Sequence, residues 1–414
     1  MFDITNYNQE ILFFTFLICV LILLSVFKNK YNSLLDPITM HIFWISGNIS
    51  FLTAFVYKFG FNQLSSLFLV FFCIYTLIVF LFLSNIKEKK DNTDLIEIIK
   101  NKERKIKIIF IIIALVYFFS RLPFFKYAME NPSIASWFLY RFVDLQGRDP
   151  ILRILGTGAE VYFYFFSFLL LFILKKWKKF VLTALILALM IGVFSGGRSS
   201  VLSALIYLGA FIFYFNKEFD KKFIRKVNVM GSLMVAFAIF LAIVITSFYE
   251  EDASIMDGFS IIINRFIAVG DGLEYYMLYN GPAHIKSGFG EYLMAVFGVY
   301  VKQFSGGDYK NVGTQLTELV VGDVSFAQGS NFVFPLQSMV LGIHAWVFYI
   351  PLMAFLVAKM RGNRTRSFLL LPLSFFFSYH CFTIATDMEY AFLCIISGVI
   401  VYLGLIYPIL KLKF

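Results

Sequence analysis

The sequence predicts an all-α polytopic membrane protein of about 11 transmembrane helices with one large outer loop. Three observations carry that expectation. Hydrophobic residues make up 60% of the 414-residue chain and the mean hydropathy is +0.79, well above a soluble domain. Apolar runs of about 20 residues recur along the chain, the length that a hydrocarbon core of about 30 Å demands. Charged residues gather between those runs rather than along them. The whole chain, 1–414, therefore reads as a single integral membrane domain, with the large loop at 250–331 inside it.

The expected spans are 10–27, 38–57, 64–84, 106–125, 151–174, 180–196, 200–216, 229–249, 332–358, 367–386 and 390–410. The run Phe289–Val301 is apolar too, but it is short for a crossing and reads as interfacial or re-entrant. Basic residues set the orientation. With the N-terminus outside and the C-terminus inside, the inner loops hold 25 of the 36 basic residues and every loop obeys the same parity. A twelfth span at 289–301 would move the basic turn at 359–366 outside, which excludes it. The net charge of +10 thus reports orientation on anionic lipid and not nucleic-acid binding. Cys19, Cys73, Cys381 and Cys394 all fall inside apolar runs without CxxC or Cys/His spacing, so neither a disulfide framework nor a zinc site is expected. The first 27 residues lack Lys and Arg, so the first run is expected to be a permanent span and not a signal peptide.

The two sides use different bases. Lys accounts for 20 of the 25 inner cations. Outside, 6 of 11 are Arg: Arg121, Arg141, Arg148, Arg153, Arg198 and Arg265. Arg offers a planar fork that grips phosphate bidentately and keeps its charge. The plain alternative for any one of them is a helix-end anchor or a local salt bridge.

Three stretches place these arginines. In the loop 121–150, Arg141 and Arg148 flank Asp144, while Trp137, Phe138 and Tyr140 suit the membrane interface or a stacked sugar face. Span five holds Glu160 well inside an apolar run, with Arg153 seven residues earlier on the same helical face. A carboxylate in a bilayer normally faces a cavity or a partner, and Tyr162 and Tyr164 are candidates to share that cavity. Spans six and seven meet at Gly196-Gly197-Arg198-Ser199-Ser200, where the serines can cap the next helix and its N-terminus favours an anion. An ordinary capped hairpin is the alternative to a diphosphate seat there.

The outer stretch 250–331 carries ten acids against four bases, so it is no general collector of polyanions. Within 258–279, Ile262, Phe266, Val269, Leu273 and Tyr276 share one helical face, with Gly270 and Gly272 able to break it. His284, the one outer-loop histidine, is a candidate general base or a plain solvated side chain. His344 is expected deeper, inside span nine, and His380 in the outer half of span ten. Asp387 and Glu389 form the last outer turn.

This arrangement resembles the bacterial Wzy-type oligosaccharide repeat unit polymerases of O-antigen and capsule. The resemblance rests on the span count, the late outer loop, the Gly-Gly-Arg-Ser-Ser turn, Arg265 in INRFIAVGDG, and the GSN-Phe-Val-Phe-Pro start of span nine. It implies a metal-independent glycosyltransferase of the inner membrane, without a cofactor, working on the periplasmic face. It implies undecaprenyl-diphosphate-linked oligosaccharide as substrate, membrane lipid as surroundings and a chain-length regulator as a possible partner. By resemblance the phosphate role falls to Arg198 and Arg265 first, then to Arg121, Arg141, Arg148 and Arg153; His284 or Glu160 would be the base. An O-antigen ligase and a lipid-linked oligosaccharide flippase are the rival expectations. Against a flippase stand the absence of an internal repeat of spans and the long outer loop.

Overall fold

A computed structural model describes residues 6–85, 93–138, 140, 149–196, 200–247, 271–305, 309–322, 332–362, 365 and 367–412. Among these, 84% are helical and none lies in a strand, which makes the fold all-α. Capping residues start the helices where the sequence offers them. Asn8, Asp36 and Asp149 each accept a backbone N–H of the first turn, and Pro37 and Pro150 follow the two aspartates.

The chain runs through α1 (Gln9–Val26), α2 (Pro37–Phe59), α3 (Gln63–Asn85), α4 (Thr93–Asn101), α5 (Glu103–Phe119), α6 (Leu122–Glu130) and α7 (Pro150–Phe168). It continues through α8 (Lys178–Phe194), α9 (Ser200–Tyr214) and α10 (Lys221–Ser247). The outer stretch gives α11 (Asp271–Leu278), α12 (Gly281–His284), α13 (Phe289–Ser305) and α14 (Val312–Val321). The last part holds α15 (Phe334–Leu341), α16 (Trp346–Gly362), α17 (Leu371–His380), α18 (Thr383–Thr386), α19 (Met388–Val401) and α20 (Tyr407–Lys411). Six helical segments among the described residues are long and apolar enough to cross a bilayer: α1, α2, α3, α5 with α6, α7 with its π-helical extension to Leu174, and α19 through α20. Eleven such crossings were expected.

Span nine departs most from expectation. The run 332–358 is not one helix. It splits into the eight residues of α15, buried from Phe334 to Val340, and the 17 of α16. Gly342 ends α15 at φ 148°, a conformation that side chains with a Cβ rarely adopt. His344, expected deep in that span, is exposed in the connecting turn. Span ten likewise breaks after His380, with α18 following two residues later.

Two hydrophobic cores result. One joins α1, α2, α3, α15 and α16 to the outer-stretch helices: Tyr276 packs on Phe68 at 6.2 Å, and Leu273 and Leu316 belong to the same core. The outer helices α11, α13 and α14 are thus folded onto the bundle. The second core surrounds α7, which packs on α5, α9, α17 and α19. Every residue from Val161 to Phe168 is buried, as a helix apolar on all faces requires. Gly158 lets α7 approach α19 closely: a Cβ there would stand 2.3 Å from the Ser397 carbonyl oxygen. Small residues at such crossings are how helices associate where lipid offers no hydrophobic drive.

Candidate functional site

Glu160 is not isolated. Arg121, at the turn between α5 and α6, donates from an Nη to Glu160 Oε2 at 3.3 Å and lies over the Tyr117 ring at 5.1 Å. Tyr207 on α9 donates its hydroxyl to Glu160 Oε1 at 3.4 Å. Three tyrosines then stack in a row, Tyr164 on Tyr207 at 4.6 Å and Tyr207 on Tyr379 at 4.2 Å. Both oxygens of the carboxylate therefore have partners on other helices, the arrangement an acid between apolar helices demands.

Arg153 does not join Glu160, whose carboxylate is taken by Arg121 and Tyr207. It lies within electrostatic reach of Glu389 and of Tyr300 on α13. Among the described residues it forms no ion pair or hydrogen bond. Glu389 is 9% exposed, and its Oε1 is buried without a hydrogen-bond partner. Asp387 accepts from the Tyr390 amide at 3.0 Å to cap α19, and burial pushes its carboxyl up to about 6. Glu160, Arg153 and Asp387 all lie within electrostatic reach of Cys394 on α19.

A pocket of about 260 Å³ lies in the outer stretch, with His284, Lys286, Glu291, Tyr309 and Gln315 as its polar lining. Tyr309 connects pocket and cluster. It lines the pocket, lies within reach of Glu389, and its buried hydroxyl has no partner. Burial, then the Glu389 charge, raises its phenol above the ordinary tyrosine value. Its ring packs where a side chain at Gly298 would stand. The helix α13 beneath it binds α19 through Phe297 against Phe392 at 5.2 Å and Tyr300 donating to the Leu393 carbonyl at 3.0 Å.

The structure thus brings Arg121 and Glu160 together and leaves Arg153 within electrostatic reach of Glu389. His284 is in the pocket and not beside Glu160. Arg141, Arg148, Arg198 and Arg265 lie outside the described residues, as do the turn at 197–199 and the stretch 248–270. The aromatic group of loop 121–150 packs on protein: Trp137 edges onto Phe194 at 5.8 Å and Phe138 stacks on it at 6.2 Å. Sequence reasoning missed Tyr207, Tyr379 and Tyr309 as site residues, since tyrosines in aromatic-rich runs carry no distinguishing signal. Glu389 had a signal, an acid next to an apolar run, but the position also fits a helix start.

No family model, no curated protein and no solved structure matches this chain. Six apolar helices and charges paired between helices define the class, an all-helical protein embedded in a membrane.

Proposed function

We propose that the protein is a membrane glycosyltransferase that joins lipid-linked oligosaccharide repeats, an oligosaccharide repeat unit polymerase. The observation that carries the reading is the half-buried, unpaired Arg153 within electrostatic reach of Glu389, whose buried Oε1 has no partner, with Tyr309 linking Glu389 to a pocket. A buried polar atom without a partner calls for an explanation, and an incoming substrate hydroxyl supplies one.

In this reading the acceptor sugar occupies the outer pocket and its hydroxyl oxygen attacks the anomeric carbon of the donor. The new glycosidic C–O bond forms as the bond from that carbon to the diphosphate oxygen breaks. The hydroxyl proton passes to Glu389, and the electron pair leaves with undecaprenyl diphosphate. In this reading Arg153 takes up the charge that develops on the leaving diphosphate, which lowers the barrier without a metal. Arg198 and Arg265 are expected to add positive charge, as the resemblance implies. Arg121 serves Glu160 rather than phosphate, and the Arg121–Glu160–Tyr207 group fixes α7 against α5 and α9. His284 lines the acceptor pocket, and Glu389 takes the role of base first expected of His284 or Glu160.

The test is a gel of surface glycan from a strain lacking the gene. Core carrying one repeat without a ladder supports a polymerase. Loss of the single repeat as well points to a ligase or flippase and overturns the reading.

A further inference from the structure

A second cavity lies at the other end of the bundle, where the α1–α2 connection meets the start of α10. Its volume is about 530 Å³. Tyr31, Asn32, Asn216, Lys221, Arg225 and Asn228 supply its polar lining, and no acid contributes to it. Phe219 and Ile224 complete the wall.

The local structure explains why these donors converge. The connection after α1 wedges against α9 and α10 at two glycines. A Cβ on Gly209 would stand 2.1 Å from the Leu35 carbonyl oxygen, and one on Gly231 would stand 2.7 Å from the Leu35 side chain. Asn228 Oδ1 accepts from Ser33 Oγ at 2.6 Å and from the Leu34 amide at 3.2 Å, which leaves its amide nitrogen as a donor. Asp220 spends its carboxylate on the α10 N-terminus, accepting from the Phe223 amide at 2.6 Å. Among the described residues neither Lys221 nor Arg225 has an acidic partner.

From the cavity an apolar stripe leads away along α10. About one turn past Arg225 it begins with Val229 and Met230 and continues through Leu233, Phe237 and Phe240, all exposed. Cations and amides at one end of an exposed apolar stripe fit a molecule with a phosphate head and long hydrocarbon chains. The cavity also lies among the residues that the charge bias assigns to the inner leaflet, where anionic lipid is concentrated.

We infer that the Lys221–Arg225 cavity is a binding site for the headgroup of an anionic phospholipid, whose acyl chains lie along the Val229–Phe240 face of α10. A bidentate Arg contact and a Lys contact hold the phosphodiester, while the asparagines and Tyr31 take the remaining headgroup oxygens. The site is separate from the cluster at Glu160 and Glu389 and does not depend on the reaction proposed above.

The full chain in a neutral detergent, titrated with short-chain phosphatidylglycerol and with phosphatidylcholine of the same acyl length, tests this. Phosphatidylglycerol is expected to bind about tenfold more tightly, because phosphatidylcholine offers the same phosphodiester but adds a trimethylammonium that Lys221 and Arg225 repel. Lys221→Gln with Arg225→Gln should abolish that preference, whereas Lys222→Gln, outside the cavity, should keep it. Each single substitution should weaken binding severalfold, which decides the matter should the double variant fail to fold. Equal affinity for the two lipids overturns the inference, as does a preference that survives the double substitution. Displacement by inorganic phosphate at the concentration where the lipid itself binds also overturns it, because the site would then take free phosphate.

Discussion

Arg361 and Asp36, 325 residues apart in sequence, form a buried ion pair. An Arg361 Nη donates to both carboxylate oxygens, at 2.6 and 2.5 Å, and the two residues are 2% and 0% exposed. The guanidinium also lies over the Phe213 ring at 3.3 Å. Asp36 meanwhile caps α2 through the Ile38 amide. One contact thus ties the N-terminal hairpin to α9 and to the end of α16.

Removing one partner of this pair leaves the other charge buried and alone. Arg361→Ala is expected to destabilise the protein by about 3–5 kcal/mol, whereas replacing both residues with apolar ones of similar size should cost far less. Thermal unfolding of the purified variants in detergent, with their abundance in membranes, checks this. A single variant as stable as the parent would remove the pair from the account of the fold.

Arg121 and Glu160 should act as a unit. Arg121→Ala and Glu160→Ala are each expected to destabilise, and the double variant by less than their sum, with a coupling of about 0.5–3 kcal/mol. Additive losses would mean that the 3.3 Å contact contributes nothing.

Arg153→Ala and Glu389→Gln should each remove the glycan ladder while the protein stays folded and inserted. Arg153→Lys should restore only part of it, since an ammonium keeps the charge without the fork. Wild-type ladders from Arg153→Ala would sink the role given to that residue, and those from Glu389→Gln would exclude it as the base.

Asp387 makes stability depend on pH in a predictable sense. Its carboxyl lies at about 6 in the folded chain against 3.8 ordinarily, so the folded state holds the proton more tightly. Its contribution is full below the ordinary value and is lost as pH rises through about 6. Wild-type thermal stability relative to Asp387→Asn should therefore fall between about pH 4 and 7 and then level off. A flat difference would show that burial does not shift this group.

Gly158→Leu should cost about 1–3 kcal/mol or more by forcing α7 away from Ser397. Unfolding of that variant against one at exposed Gly404, which has open space around it, separates crowding from helix propensity.

Much of this molecule was legible along the chain because its governing periods are local. Apolar run length marked the helices, and Asp36-Pro37 and Asp149-Pro150 marked two of their starts. The acid at 160 stood out because a charge inside an apolar run needs a partner. The break at Gly342 was hidden, since a glycine inside a long apolar run reads as an ordinary span residue until its φ is known.

The sequence by itself determined the class of this protein, since an all-helical fold is what a chain must adopt when lipid leaves its backbone groups no other partner. It also marked Glu160 as an acid that needs a cavity or a partner. Only the tertiary structure decided with whom: Arg121 and Tyr207 for Glu160, Asp36 for Arg361. A charge's need for a partner is written in its own segment. The identity of that partner depends on which helices pack together, and no period in the chain records that.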